Sequence, residues 1–382
     1  MHDTRPPFTL TRRQVLAAMP LAAALPLLAG QSAFAAGSFP EPGEQVPRAA
    51  LLTYADVQKS LTDIQRSSKG AVQVKTLSSL GFGRSEAGRE LYVATVGTGP
   101  TKVWLQGRIH GNEPYGPDVL LDVLRNAGSS GSPLWKAVRE KLTLHVIPMY
   151  NPDGSELYIR HTVLEDGRRI DLNRDWSPTG FAAKESLAWY SYWASVKPDV
   201  GLDIHHQGLK YDDSDEPITM SLGISLAPSG PTLPGVRGGE YDVKTRQLQG
   251  HVYTALQQYG YVNADRYSVG SASSGYREID IKGGVSSAVM LGLNYNGLNP
   301  TGHSHPMVFF ETYGGSIGQK SRGKAIKQNV VGVEALLGGL ADGSVWNVDP
   351  MIWHGMPHYD YVGYQVDSGL IDGWPTQPPV MP

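Results

Sequence analysis

The stretch KVWLQGRIHGNEPYGPDVLLDVLRN, residues 102–126, passes from a β-rich run through a polar turn into a helical segment. Along the chain it is flanked by further β-rich runs, AVQVKTL, ELYVATVG and LTLHVIPMY, and later by the helical FAAKESLAWYSYWASV. Alternation of strands and helices is typical of a sheet that helices cover on both faces. The sequence therefore predicts an α/β fold.

A histidine and a glutamate lie three positions apart in the turn, His110 and Glu113. Side chains that follow a strand can point into the crevice at the carboxyl edge of an open α/β sheet, where ligands bind. A second β-rich run, VGLDIHHQG, reaches His205 in the same way. Hydrolytic zinc sites use three protein ligands and leave a fourth position for water, so these three residues are candidate ligands.

The neighbouring His206 competes with His205 for this role. Successive side chains of a strand point to opposite faces, so only one of the two can serve, and we choose His205. The alternative for His205 is a strand-end histidine with ordinary hydrogen bonds. Asp203 lies two residues earlier on the same face and is expected to orient a ligand histidine. The chain contains no cysteine, so a transition-metal site must use His, Asp or Glu.

Four motifs, HGNE, NPDG, DLNRDW and DIH, follow one another in this order and resemble those of the zinc carboxypeptidases of the carboxypeptidase A type, peptidase family M14. The similarity covers roughly residues 53–318, is weak over 206–303, and returns at FFETYGG. It implies a mixed, twisted eight-stranded sheet sandwiched between helices. It also implies one zinc ion, held by His110, Glu113 and His205.

The motif DLNRDW supplies candidate substrate-binding residues. By the resemblance, Asn173 and Arg174 hold the terminal carboxylate of a peptide, and arginine suits this because its planar group grips a carboxylate with two hydrogen bonds. The alternative for Arg174 is a salt bridge to Asp171 or Asp175.

Two further residues receive catalytic roles from the resemblance. Glu311 of FFETYGG is the expected general base that activates water and returns the proton to the leaving amine. Arg160 is the expected partner of the developing oxyanion, although Arg168 and Arg169 compete for that role. The alternative for Glu311 is a buried structural carboxylate, which is costly without a partner.

The family places a substrate-covering tyrosine on a mobile loop before the base, and no residue here matches it cleanly. Tyr267, Tyr276 and Tyr295 are candidates. The same region normally determines the preferred side chain, so the preferred C-terminal residue stays open.

The implied activity is hydrolysis of the C-terminal peptide bond of peptides that carry a free C-terminal carboxylate. One alternative is a carboxypeptidase or amidase acting on cell-wall stem peptides, and another is a zinc-dependent deacylase of N-acyl amino acids. A third is a binding protein on the same fold that has lost activity.

The formal net charge of −3, without lysine- or arginine-rich runs, indicates no nucleic-acid partner.

The first 36 residues resemble a cleaved twin-arginine signal. They contain TRRQVL, an alanine-rich apolar stretch and a small-residue AFA site. A membrane anchor is disfavoured because prolines interrupt an apolar stretch that is short for a span of roughly 20 residues. We therefore expect export by the twin-arginine machinery to the periplasm or medium, without stable membrane association. The expected organisation is signal 1–36, linker 37–52, catalytic domain 53–340 and aromatic-rich tail 341–382.

Overall fold

The computed structural model describes residues 50–175, 180–224, 241–268, 305–313, 319–366 and 369–372, together with residues 273, 275 and 303. All of them belong to one unit, Ser38–Pro382. The signal 1–36 and nearly all of the linker 37–52 lie outside the described residues, as does the end of the tail.

The helices begin with α1, where the sequence carries a capping signal. Thr53 accepts a hydrogen bond from the backbone of Asp56, and the Asp56 side chain returns one to Thr53, which satisfies backbone donors that a helix start leaves unpaired. The described helices are α1 Tyr54–Ser67, α2 Tyr115–Ser129, α3 Pro133–Lys141, α4 Pro152–Leu157, α5 Lys184–Val196, α6 Tyr241–Leu256, α7 Gln319–Asp342 and α8 Met351–Gly355.

Eight of the described strands form one sheet in the order β1-β2-β4-β3-β7-β10-β8-β9. They are β1 Val72–Thr76, β2 Tyr92–Val96, β3 Thr101–Gly107, β4 Leu142–Ile147, β7 Val200–Gln207, β8 Met220–Ile224, β9 Ala264–Arg266 and β10 Met307–Tyr313. Two small ribbons pair β5 Thr162–Val163 with β6 Arg169–Ile170, and β11 Gly363–Val366 with β12 Gly369–Asp372.

The sheet is mixed. Its centre, β4-β3-β7-β10, is parallel, whereas β1, β2 and β8 join through antiparallel pairs and β9 runs parallel to β8. The eight residues of β7, Val200 to Gln207, are all buried, as expected for a central strand covered on both faces. The predicted α/β fold with a mixed eight-stranded sheet is confirmed.

Helices cover both faces of the sheet. Trp104 of β3 packs edge-on against Trp189 of α5, with ring centroids 6.4 Å apart. On the other face, Phe310 of β10 contacts α7 at Gly332, where an added Cβ would lie 3.0 Å from the phenyl ring. Because the apolar core packs against both sides of the strands, it holds the backbone at their carboxyl ends rigidly in place, and with it the polar side chains there.

Between residues 206 and 303 the sequence has one helical pattern, GGEYDVKTRQLQGHVYTALQQYG, among Gly-, Ser- and Asn-rich stretches that predict long loops. The helical stretch is present as α6, but β8 and β9 add two strands to the sheet in this region. β8 is buried at every position, so its sequence does not need the alternation of apolar and polar residues that identifies a half-exposed strand. This is why the sequence pattern did not reveal it.

The chain beyond α7 packs onto the same core. Trp353 of α8 is fully buried and Met356 nearly so, and both belong to the main apolar cluster. The domain boundary at 340 stays a prediction. No helix among the described residues is long and apolar enough to cross a bilayer.

Candidate metal and catalytic site

The turn after β3 is built by close packing of two glycines. A Cβ on Gly107 would lie 2.8 Å from the Cα of Gly116, so only glycine lets the end of β3 approach the start of α2 this closely. Arg108 adopts the left-handed conformation, φ 57°, and its buried guanidinium donates to the carbonyls of Leu52 and Gly111 at 2.7 and 3.1 Å. The turn therefore projects His110 and Glu113 to the site side of the sheet.

His110, Glu113 and His205 converge. Nδ1 of His110 lies 2.7 Å from Oε1 of Glu113, and Nδ1 of His205 lies 3.0 Å from Oε2 of the same carboxylate. All three residues are buried, and one ligand atom from each falls within 4.8 Å of the others. This His-Glu-His set has the donors that zinc prefers, and it could hold a metal ion.

His206 turns away from this cluster. Its ring packs against Tyr115, with centroids 4.4 Å apart, and its Nε2 accepts a hydrogen bond from the Tyr115 backbone at 3.1 Å. Burial lowers the pKa of His206 to about 3, so the ring is neutral and able to accept that bond. The structure thus places the side chain of His205, and not that of His206, beside Glu113; His206 reaches this carboxylate only through its backbone N–H, which donates to Oε2 at 3.1 Å. The role of His205 as a ligand stays a prediction.

Two carboxylates engage the outer ring nitrogens of the histidines. Asp203 Oδ2 lies 2.9 Å from Nε2 of His205, and Asp171 Oδ1 lies 3.2 Å from Nε2 of His110. Such contacts fix the ring orientation and tautomer of metal-binding histidines, and they make the free nitrogen more basic. The Asp203 contact was expected. The sequence indicated Asp171 only as the alternative salt-bridge partner of Arg174, because its contact with His110 joins residues 61 positions apart.

The buried charges of the cluster favour an anionic Glu113. Burial alone raises the pKa of this carboxyl, but the adjacent His110 and His205 hold it well below its usual range. Burial lowers the pKa of His205, yet Asp203 and Glu113 hold it well above the ordinary value. The cluster therefore attracts positive charge, which suits it to a cation.

Glu311 lies on the neighbouring strand at the level of His205. The parallel register of β10 and β7 pairs Glu311 with His205, and partners on adjacent strands point to the same face. Burial raises the pKa of Glu311 to about 8, so the carboxyl sits near the range where a group can both accept and return a proton.

Arg160 also reaches the cluster. Its Nε donates to Oδ2 of Asp171 at 2.9 Å, its Nη1 lies 3.7 Å from Oε1 of Glu113, and its side chain stays 32% exposed. Arg168 instead pairs with Asp166 on the exposed tip of the β5–β6 ribbon. Of these two arginines, the structure brings only Arg160 to the metal-ligand candidates.

Asn173 and Arg174 follow Asp171 in the same turn. The Asn173 backbone donates to Oδ1 of Asp171 at 2.8 Å, which anchors the turn to the cluster. The guanidinium of Arg174 donates to the Asn173 carbonyl at 3.0 Å, and within the described residues it forms no salt bridge to Asp171 or Asp175. The carboxylate of Asp175 instead accepts from the backbone of Ala182 and Ala183, at 2.8 Å each.

Of the three tyrosine candidates, Tyr267 lies in the described part of the chain, whereas Tyr276 and Tyr295 lie outside it. Tyr267 follows β9 directly. Its backbone N–H donates to the Leu222 carbonyl at 2.8 Å, so it is held at the sheet edge.

A buried polar network continues the row of site residues across the sheet. Ser221 is the register partner of Glu311 and of Asp265, and its hydroxyl bonds to Asp265. Lys210, fully buried, donates to Asp265 at 2.9 Å and lies 4.6 Å from the ring centroid of Tyr361. No local sequence pattern marks this network, because its members are spread from Lys210 to Tyr361.

Residues 61–203, a little over a third of the chain, match the family model described as Zinc carboxypeptidase. The segment contains the turn with His110 and Glu113, the DLNRDW motif and the first half of β7, up to Asp203. The resemblance to this family is confirmed. The family is zinc-dependent, in agreement with the donor set of the cluster.

Curated relatives match over short segments. Carboxypeptidase 2 of Trichophyton rubrum is 32% identical over 105 residues, which are 27% of this chain and 18% of the relative. Carboxypeptidase SOL1 of Arabidopsis thaliana is 27% identical over 156 residues, which are 39% of this chain and 30% of the relative. The chain thus spans about a fifth to a third of the length of these relatives.

Solved structures match over most of the fold. A metallo-carboxypeptidase from Burkholderia cenocepacia superposes with a TM-score of 0.52 at 18% identity and covers 77% of this chain and 70% of its own. Bovine thrombin-activatable fibrinolysis inhibitor gives a TM-score of 0.53 at 13% identity, over 78% of this chain and 99% of its own. At these identities the likeness concerns the fold.

Proposed function

We propose that this chain, whose residues 61–203 match the zinc carboxypeptidases, is a zinc-dependent metallocarboxypeptidase that hydrolyses the C-terminal peptide bond of peptides. The observation that carries the proposal is the convergence of His110, Glu113 and His205 beside Glu311 on one sheet face. Peptide hydrolysis by water requires a metal ion that polarises the reacting groups and a base that accepts the proton of water. A cluster that attracts a cation, next to a carboxyl of raised pKa, can provide both.

One zinc ion is the proposed cofactor, with His110, Glu113 and His205 as its ligands. The donor set fits, because Nδ1 of each histidine faces the Glu113 carboxylate while Asp171 and Asp203 hold the opposite nitrogens. When bound, zinc supplies Lewis-acid polarisation and makes water a stronger acid near neutral pH.

Glu311 is the proposed general base. Its place beside His205 puts the carboxylate within the site rather than behind it. It accepts a proton from the attacking water and transfers it to the leaving amine, so that the departing group leaves as a neutral amine. A pKa of about 8, close to neutral pH, lets one carboxyl perform both transfers.

Arg174 and Asn173 are the proposed grip for the substrate's terminal carboxylate. Arg174 is partly exposed, and its single described side-chain bond is to a backbone carbonyl, which leaves donors for a bidentate contact. Arg160, held toward the cluster by Asp171, is the proposed donor to the oxyanion that develops on the scissile carbonyl.

The proposed location is the periplasm or the medium, reached through the twin-arginine machinery. The support is the sequence of residues 1–36 together with the absence of cysteine, since proteins exported in the folded state complete folding in a reducing compartment.

A chelator-controlled digest tests the activity. The purified protein is incubated with peptides that have free C-terminal carboxylates, the same peptides amidated, N-acyl amino acids and cell-wall stem peptides, and the products are identified by mass spectrometry. Loss of single C-terminal residues from the free-carboxylate peptides alone, abolished by chelator, is the expected result. Cleavage confined to stem peptides or acyl amino acids would replace the substrate class, and binding without cleavage would indicate an inactive binding protein.

A further inference from the structure

Three aromatic rings contact one another in a row that begins at the metal-ligand cluster: His205, Phe309 and Tyr267. The ring of Phe309 lies edge-on to that of His205, with centroids 6.4 Å apart, and the ring of Tyr267 lies edge-on to Phe309 at 5.0 Å. Edge-to-face contacts at such distances are favourable arrangements of aromatic rings. Tyr267 therefore has a fixed position relative to His205.

Phe309 lies on the sheet surface under the site, next to the proposed base Glu311; we call it the floor of the site. It lies two residues before Glu311 on β10, so both side chains point to the same face. Its register partners are Asp203 on β7 and Gly223 on β8. A Cβ on Gly223 would lie 2.1 Å from the ring, which shows that the phenyl group fills the space above this glycine. Phe309 is only 8% exposed.

Tyr267 stands on this floor and keeps part of its surface exposed. Its backbone is bonded to Leu222 at 2.8 Å, and the preceding Arg266 is bonded through its own backbone to Pro357 at 2.7 Å. The Nζ of Lys210 lies 5.8 Å from the Tyr267 ring centroid. These contacts fix the position of the Tyr267 ring on Phe309.

The phenol of Tyr267 interacts electrostatically with both the proposed base and the proposed carboxylate grip. Burial raises the pKa of this phenol, the Glu311 carboxylate raises it further, and the cations of Arg174 and Arg160 oppose that rise. The region between Glu311 and Arg174 is where the C-terminal residue of a bound peptide would lie.

We propose that Tyr267, supported by Phe309, is a specificity-determining residue that limits the C-terminal residue of the substrate to one with a small side chain, such as alanine or glycine. The inference rests on the proposed function and deepens it. An aromatic ring that packs on Phe309, next to His205, fills volume that a large C-terminal side chain would need, and tightly packed rings cannot move aside without strain.

Competing hydrolysis of two peptides tests the proposal. The peptides differ only in a free C-terminal alanine or phenylalanine, and kcat/KM is measured for both with the zinc-loaded full-length chain, its Tyr267→Ala and Tyr267→Phe variants, and Tyr261→Ala as a control. Tyr261 is a partly buried tyrosine that stacks on Tyr259 at 6.0 Å. Zinc content is measured in parallel for each protein.

We expect the wild type to favour alanine and Tyr267→Ala to shift the ratio toward phenylalanine by about 10–100-fold, the range that pocket volume commonly provides. Tyr267→Phe and Tyr261→Ala should keep the wild-type ratio, since the ring at 267 remains in both. A wild type that prefers phenylalanine, or an unchanged ratio in a zinc-loaded Tyr267→Ala, overturns the proposal.

Two further outcomes are distinguishable. If Tyr267→Ala does not fold, Tyr267→Leu replaces it, and the same shift or its absence decides. If the zinc-loaded wild type removes no residue from any peptide, the proposed function itself fails and the specificity assignment fails with it.

Discussion

Glu311 on β10 is the register partner of His205 on the parallel strand β7, and both side chains lie on the same face of the sheet. The two residues are neighbours in space although more than a hundred positions separate them in the chain. Because both strands are in the rigid centre of the sheet, the proposed base and a proposed metal ligand keep their spacing without support from a loop.

Replacing Glu311 by glutamine separates catalysis from metal binding. We expect kcat to fall by about 10²–10⁴-fold, the usual contribution of a positioned acid or base, while zinc content stays at one ion per chain. Turnover of C-terminal residues and zinc content are measured on the same preparation. Glu140→Gln, at an exposed glutamate of α3, serves as the control and should change neither. Near-normal turnover in Glu311→Gln would contradict the assignment.

The two adjacent histidines of β7 should respond differently to substitution. His205→Ala removes a nitrogen that faces Glu113, so zinc should be lost. His206→Ala leaves the Tyr115 backbone N–H without its acceptor, so it should lower the free energy of unfolding by about 1–3 kcal/mol but retain zinc. Zinc content and urea unfolding distinguish the two. Zinc depletion in His206→Ala alone would show that the ligand assignment is wrong.

Asp171 should tune the affinity for zinc without binding the ion. Asp171→Asn weakens the contact to His110 Nε2 and the ion pair with Arg160, so we expect zinc affinity to fall about 10–100-fold. A competition titration against a chelator measures this change. Asp166→Asn, which removes an exposed carboxylate from the same ribbon, is the matched control. Equal affinities in the two variants would exclude an orienting role for Asp171.

His145 of β4 should make stability fall in weak acid. Burial lowers its pKa to about 4, and the nearby Lys102 charge acts in the same direction. As the pH falls from about 6.5 toward 4, the unfolded chain binds a proton that the folded protein does not, so the free energy of unfolding decreases. The slope is at most about 1.4 kcal/mol per pH unit, and partial exposure makes it smaller.

Urea unfolding of the wild type and of His145→Gln at pH 7 and pH 5 measures this effect. The variant loses the 2.7 Å contact between the ring and the Tyr192 hydroxyl, so it should be less stable at pH 7. Its deficit should shrink at pH 5, because glutamine takes up no proton in the unfolded state. An equal deficit at both pH values would show that His145 does not titrate in this window.

Part of the site could be predicted from residues that are close in sequence. The spacing of His110 and Glu113 after an apolar run indicated a turn at the carboxyl edge of a strand, and β3 ends there. Strand alternation also predicted that Asp203 and His205 share a face opposite to His206, which the contacts reproduce. These features follow from the local periodicity of the backbone, which a sequence displays directly.

The sequence by itself therefore determined the α/β class and the residues that a strand end can present. Only the tertiary structure decided which distant residues meet: Asp171 at His110, Glu311 at His205, and Tyr267 on Phe309. These contacts depend on strand order and on packing between segments far apart in the chain. The physical reason is that periodicity encodes which way a side chain points, whereas its partner depends on how the whole sheet is assembled.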